Sequence, residues 1–166
     1  METGLNIQKK RVYFVQIGLK KGFFDAFGQD VLNSILELGI EGISKVNVYD
    51  VYKVYGEISF SLVKKISKEL LFDPVAHEMK IYSHSKDKTK LKIPSIEVWY
   101  KTGVTDPVAF TAIKGIKDLG VLSDIGISCG KKFEFFGSGI TKEKLETIAT
   151  KILANTLIQD FFINGI

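Results

Sequence analysis

Among its 166 residues the chain has one cysteine, Cys129. An internal disulfide and a cysteine-built zinc cage are therefore excluded, and the composition fits a reducing compartment. Histidine is nearly as scarce: neither His77 nor His84 has a second ligand at metal spacing beside it, so no metal site is expected. No apolar run approaches the roughly 18 residues that suggest a membrane span. The opening METGLNIQKKRVYF is polar before its first apolar stretch, unlike a secretory signal. The expectation is a cytoplasmic protein with no membrane partner.

Signatures of catalysis are missing as well. Cys129, in ISCGKK, has no histidine near it in sequence and reads as a small core residue, not a nucleophile. In FFGSGITKEK, Gly137, Ser138 and Gly139 precede a helix and suggest an anion cradle. The third glycine of the dinucleotide fingerprint and the lysine-serine ending of a P-loop are absent, so a plain strand-to-helix turn is the better reading. Asp25 and Asp106 read as helix caps, and Glu37, Asp118, Glu143 and Glu146 as solvated helix faces. No catalytic residue and no cofactor site is expected, which favours binding or assembly over turnover.

What is present is the balance of a soluble globular protein, 45% hydrophobic and 25% charged. The net charge of +4 gathers in SKDKTKLKIP, at Lys86, Lys88, Lys90 and Lys92. No aromatic residues interleave with these lysines to stack on bases, so the run reads as a solvated connector and no nucleic-acid partner is expected.

The informative feature is a repeat. KKGFFDAFGQDVLNSILELG at residues 20–39 returns as KTGVTDPVAFTAIKGIKDLG at residues 101–120, an offset of 81 positions. Lys20, Gly22, Asp25, Ile35, Leu38 and Gly39 recur as Lys101, Gly103, Asp106, Ile116, Leu119 and Gly120. Apolar residues at helical spacing predict an amphipathic helix in each copy, with aspartate as N-cap and glycine as C-terminal cap. In the second copy Pro107 suits the first helical position. Strands rich in β-branched and aromatic residues precede them, VYFVQI at 12–17 and IEVWY at 96–100.

After each helix, KVNVYDVYKVYGEISF and DIGISCGKKFEFFG read as strand, short turn around Asp50 or Gly130, and second strand ending near Gly56 or Gly137. A second helix follows, with Leu62, Val63, Ile66 and Leu70 on one stripe and Leu145, Ile148, Ala149 and Ile152 on the other, Thr141 serving as N-cap. DPVAHEMKIY and NTLIQDFFI close the copies with short strands. The expected fold is α+β, two ferredoxin-like β-α-β-β-α-β repeats over residues 1–83 and 95–166 joined by a lysine-rich linker at 84–94. Runs such as Tyr13-Phe14-Val15, Val98-Trp99-Tyr100 and Phe135-Phe136 make both sheet faces apolar, so the two antiparallel sheets are expected to pack together as a pseudo-dimer or against a partner. Tyr13, Trp99 and Phe135 are the candidate interface anchors, set against a reading of the same rings as internal core.

The segments EVWYKTGVTDPVAFTAIKGIKDLG, ISCGKKFEFFG and LANTLIQDFFI resemble the PurS subunit of phosphoribosylformylglycinamidine synthase. The lysine-x-glycine-valine-x-aspartate-proline opening of that family corresponds to Lys101, Gly103, Val104, Asp106 and Pro107. Its glycine-lysine turn corresponds to Gly130 and Lys131, and its leucine-x-asparagine-proline close to Leu153 and Asn155, with Thr156 replacing the proline. The first copy is looser: Phe23 stands for the valine and Asp25-Ala26 for aspartate-proline, and Tyr49-Asp50 lies where the glycine-lysine turn would be. Leu71-Phe72-Asp73-Pro74 keeps the closing pattern.

The resemblance implies a component of the ligase complex that turns formylglycinamide ribonucleotide, ATP and glutamine into the amidine during de novo purine biosynthesis, with no activity of its own. It implies as partners the ATP-using synthetase, PurL, and the glutaminase, PurQ, held so that ammonia passes between them. A tandem copy resembles either a dimer of single-repeat subunits fused into one chain or the front domain of a large single-chain synthase, and further homo-oligomers remain open. The residues alone also admit an ACT-like paired module binding a small metabolite between units. An RNA-binding module of the same topology is disfavoured, because CGKKFEFFG and VYGEISF lack the aromatic signature of RNA-facing strands.

Overall fold

β-Branched and aromatic density builds the strands, and the two capped amphipathic segments build the first helix of each copy. The computed structural model describes residues 10–83, 93–121 and 124–166. In chain order these are β1 (Arg11–Leu19), α1 (Ala26–Glu37), β2 (Ile43–Gly56), α2 (Phe60–Ile66), β3 (His77–Tyr82), β4 (Ser95–Tyr100), α3 (Pro107–Asp118), β5 (Ile125–Gly137), α4 (Lys142–Ile148) and β6 (Gln159–Asn164). Helices α2 and α4 each widen into a π-helical last turn, Ser67–Leu71 and Ala149–Leu153. Most of the expected linker, residues 84–92 with His84 and its four lysines, lies outside the described residues.

The α+β class and the pairing of two repeats are as expected, but the pairing takes the form of one continuous antiparallel sheet ordered β3-β1-β2-β5-β4-β6. Among the described residues each repeat supplies three strands, not four. The segments expected to be hairpins are single long strands, β2 of 14 residues and β5 of 13. Asp50 and Gly130 therefore sit at mid-strand. Neither has the positive φ that a tight hairpin turn demands, and both are paired across the β2–β5 ladder, Asp50 with Lys131 and Val51 with Gly130. The glycine-lysine element implied by resemblance is likewise strand, not turn. The joint runs along strand edges, not face to face, so it removes two edges that would otherwise offer unpaired backbone.

Cross-strand partners share a face, and that bookkeeping places both cores on one side of the sheet. One core joins Val31, Leu32 and Ile35 of α1 to Ile96 and Val98 of β4, Phe133 and Phe135 of β5, and Leu145 and Ile148 of α4. The other joins Ala109 and Ile116 of α3 to Val15 and Ile17 of β1, Val54 of β2, and Val63 and Ile66 of α2. Thus α1 lies on its own β2 and packs with α4, β4 and β5 of the second repeat, and α3 lies on its own β5 and packs with α2, β1 and β2 of the first. Each ferredoxin-like layer is built from both copies, which is why neither copy carries a whole core.

Candidate functional site

The repeated aspartates do more than cap. Asp106 Oδ1 accepts from Ala109 N at 2.9 Å, closing the first turn of α3, while its Oδ2 accepts from Cys129 N in β5 at 2.7 Å. Asp25 does the same for Gly28 N at 2.7 Å and Val48 N in β2 at 3.0 Å. One carboxylate thus fixes where the helix starts and how it sits over the long strand. Gly39 and Gly120, at φ 73° and 77°, end these helices in the left-handed conformation that only glycine adopts without strain. Lys101 Nζ donates to Thr156 O at 2.7 Å, and Lys20 Nζ likewise to Pro74 O, so the motif lysine ties the end of β1 or β4 to the turn before the last strand.

Between α1, α3 and the sheet lies a groove of about 470 Å³ lined by Phe27, Asp30, Tyr52, Tyr100, Val108 and Lys131 among others. Asp50 and Lys131 meet on its floor, Lys131 Nζ 2.6 Å from Asp50 Oδ1 and 5.4 Å from the centroid of the Phe27 ring. Cys129 is also in the wall. Burial, and secondarily the charges of Asp106 and Asp50, push its thiol up to about 12 from an ordinary 9.0. It is a core thiol with no thiolate character near neutral pH. Burial and then Asp50 push the Tyr52 hydroxyl up to about 12 as well.

The helix-free face carries a second aromatic group. Phe14 stacks on Tyr82 with ring centroids 5.6 Å apart and meets Trp99 edge-on at 6.4 Å, although β2 and β5 lie between their strands. The rings lean toward each other across Val51, which is 1% exposed with no helix over it, and across Gly130, where a Cβ would stand 2.6 Å from the Trp99 ring. Trp99 Nε1 donates to Glu97 Oε2 at 3.1 Å, and Lys132 pairs with Glu134 at 2.8 Å.

The three candidate anchors do not come together. Trp99 lies half-buried on the helix-free face. Tyr13 is on the opposite face, tilted against Phe60 with centroids 6.0 Å apart, and Phe135 is 1% exposed inside the core. Exposed apolar side chains lie elsewhere: Phe24 before α1, Phe110 on α3, and Val75 and Leu157 in equivalent turns before β3 and β6. Sequence reasoning missed them because singly exposed apolar residues look like core until a partner face is known. The anion cradle is internally used, since Ser138 N donates to Gly42 O at 2.7 Å and Lys144 Nζ donates to the carbonyls of Glu41 and Gly139. His77 Nδ1 accepts weakly from Asp73 N at 3.4 Å. Among the described residues no three His, Cys, Asp or Glu side chains group as metal ligands, and no helix is long and apolar enough to cross a membrane.

Comparison with known proteins adds three findings. No curated protein sequence matches the chain. Among solved structures it is similar to a chain in the structure of PurLQS from Thermotoga maritima, with 18% identity and a TM-score of 0.42 over 45% of this chain and 98% of that one. The family described as PurS, phosphoribosylformylglycinamidine (FGAM) synthase, matches twice, over residues 13–85 and again over 94–165. Between them the two matches take in both aspartate-capped helices and both long strands, and on that ground the chain belongs to the PurS family of FGAM synthase, as a tandem pair.

Proposed function

We propose that this chain is a non-catalytic assembly component of FGAM synthase, a bracket that holds an ATP-dependent synthetase beside a glutaminase so that ammonia passes between them. The observation that carries the reading is the double family match, with both repeats contributing to one sheet. Exposed Phe24, Phe110, Val75 and Leu157, at 74%, 72%, 73% and 84%, supply apolar contact points on both repeats, the two phenylalanines being of the aromatic type enriched at protein interfaces. Trp99 on the helix-free face is a further contact in this reading, with Tyr13 and Phe135 supporting from the interior. Residues 84–94 serve as the tether between repeats 1–83 and 95–166, and the complex is cytoplasmic.

The test is reconstitution with the synthetase and glutaminase of the same source. Omitting this chain should abolish glutamine-dependent amidine formation while ammonia-dependent formation persists. Full glutamine-dependent activity in its absence would overturn the proposal. The groove beside Asp50 and Lys131 gives the ACT-like alternative its one specific support, and calorimetry against amino acids and nucleotides separates the two: saturable heat from any of them favours a metabolite-binding module.

A further inference from the structure

The Asp50–Lys131 pair stands at a special point. The repeats are related by an offset of 81 positions, and Asp50 and Lys131 are themselves 81 apart while directly paired across β2 and β5. They are equivalent residues of the two copies facing each other on the pseudo-twofold axis. In a dimer of identical repeats the axis would bring a residue against its own copy: Asp50 against Asp50 if the first repeat paired with itself, Lys131 against Lys131 for the second. Like charges directly opposite in an antiparallel pair destabilise it, and opposite charges stabilise it. Only the unlike pairing puts an anion against a cation.

The neighbours point the same way. Lys131 also lies over Phe27, and Lys132 lies over Tyr49 at 6.0 Å, both rings belonging to the first repeat. If the second repeat paired with itself in the same register, Lys132 would face Gly130, which has no ring. If the first did, Tyr49 would face Val51.

We propose that the Asp50–Lys131 pair is a partner-selection device: it makes the β2 edge of the first repeat and the β5 edge of the second fit each other and rejects pairing of either repeat with its own kind. The exchanged helices make this matter, because each core needs an element from the other repeat, and chains that paired like with like would bury the wrong halves together.

The experiment uses the full chain carrying a site-specific protease site within residues 84–92, cut after folding. The two pieces are re-equilibrated through mild denaturant and counted by native mass spectrometry as one unlike and two like pairs. Either single reversal, Asp50→Lys or Lys131→Asp, gives all three pairings like charges at the axis, so the unlike-to-like ratio should fall about two- to thirty-fold. The swap Asp50→Lys/Lys131→Asp restores opposite charges in the unlike pair alone and should raise the ratio well above that of either single reversal, short of the parent because the contact of Lys131 with the Phe27 ring is lost. Both side chains are about half exposed, so all four proteins are expected to fold. Single reversals that keep the parent ratio, including unlike pairs only in every variant, overturn the proposal, as does a swap whose ratio is no higher than that of the single reversals.

Discussion

Removing the Asp106 carboxylate tests whether one residue joins helix to strand. In Asp106→Ala the first turn of α3 loses its cap at Ala109 N, a change that costs about 0.5–2 kcal/mol. The same substitution strips the acceptor from Cys129 N, which donates to Asp106 Oδ2 at 2.7 Å beside a side chain only 8% exposed. An orphaned buried donor costs about 1–3 kcal/mol. Together the loss should be about 1.5–5 kcal/mol, a large share of the roughly 5–15 kcal/mol that holds a domain folded. In urea denaturation followed by far-UV circular dichroism, with m of about 2 kcal/mol/M, the midpoint should drop by about 0.8–2.5 M. Asp106→Asn keeps one carbonyl oxygen for two donors and should fall between. Thr111→Ala, on the exposed side of α3, serves as control and should stay within about 0.5 kcal/mol. If Asp106→Ala is no worse than that control, the carboxylate bridges nothing of consequence and the account of the motif is wrong.

Other outcomes follow from the same geometry. Ile35→Ala should cost about 2–5 kcal/mol, and hydrogen exchange should speed up in α4 and β4 of the other repeat more than in α2, because Ile35 is 0% exposed in the core it shares with them. Gly130→Ala should cost about 1–3 kcal/mol as an overpacked site, its Cβ pressed to 2.6 Å from the Trp99 ring and 2.7 Å from Val98 O. Stability should decline as pH rises from about 9 toward 12. The unfolded chain releases the Cys129 proton near 9.0 and tyrosine protons near 10.0, while the folded chain holds those of Cys129, Tyr49, Tyr52 and Tyr82 to about 12. Cys129→Ala should therefore flatten the first part of that decline, read from urea midpoints across the range. In the folded protein at pH 8 the Cys129 thiol should resist alkylation that goes to completion in urea.

Much of this was legible from residues alone, for reasons that are local. Asp25, Asp106, Thr141, Gly39 and Gly120 act where capping chemistry put them, because a cap needs only its own turn. The apolar stripes of α1 and α3 likewise predicted which sides are buried. The expected turn at Tyr49-Asp50 failed because composition near a charged residue looks the same in a hairpin and in a long strand; what decides is a partner of equal length, and β5 lies some 80 residues away in sequence. Which core a helix joins was also invisible, since the stripe on α1 says that it packs but not that Ile96 and Leu145 are what it packs on. The pseudo-axial pair did leave a trace: residues 50 and 131 stand at the repeat offset with opposite charges, a signal that becomes readable only once the axis is known to pass between them.

Duplication and symmetry breaking can be understood together. Among the described residues a single repeat has three strands and two α-helices, and the first helix completes its core with residues of the other copy as well as its own long strand, so two copies are the smallest unit that closes either core. With the copies in one chain, the two halves are free to diverge at positions where identical subunits could not, and the axis is where divergence gains most. A charged residue there is unfavourable against itself and favourable against its opposite. The exposed positions have diverged too: Phe27 stands where the second copy has Val108, both on the shared groove, and Gln29 where it has Phe110, so that the equivalent helices present different apolar surfaces. In the proposed bracket, two unlike enzymes would meet unlike surfaces, whereas a homodimer, whose halves are identical by symmetry, would have to break that equivalence in the complex. Here the difference is written into the chain before any partner arrives.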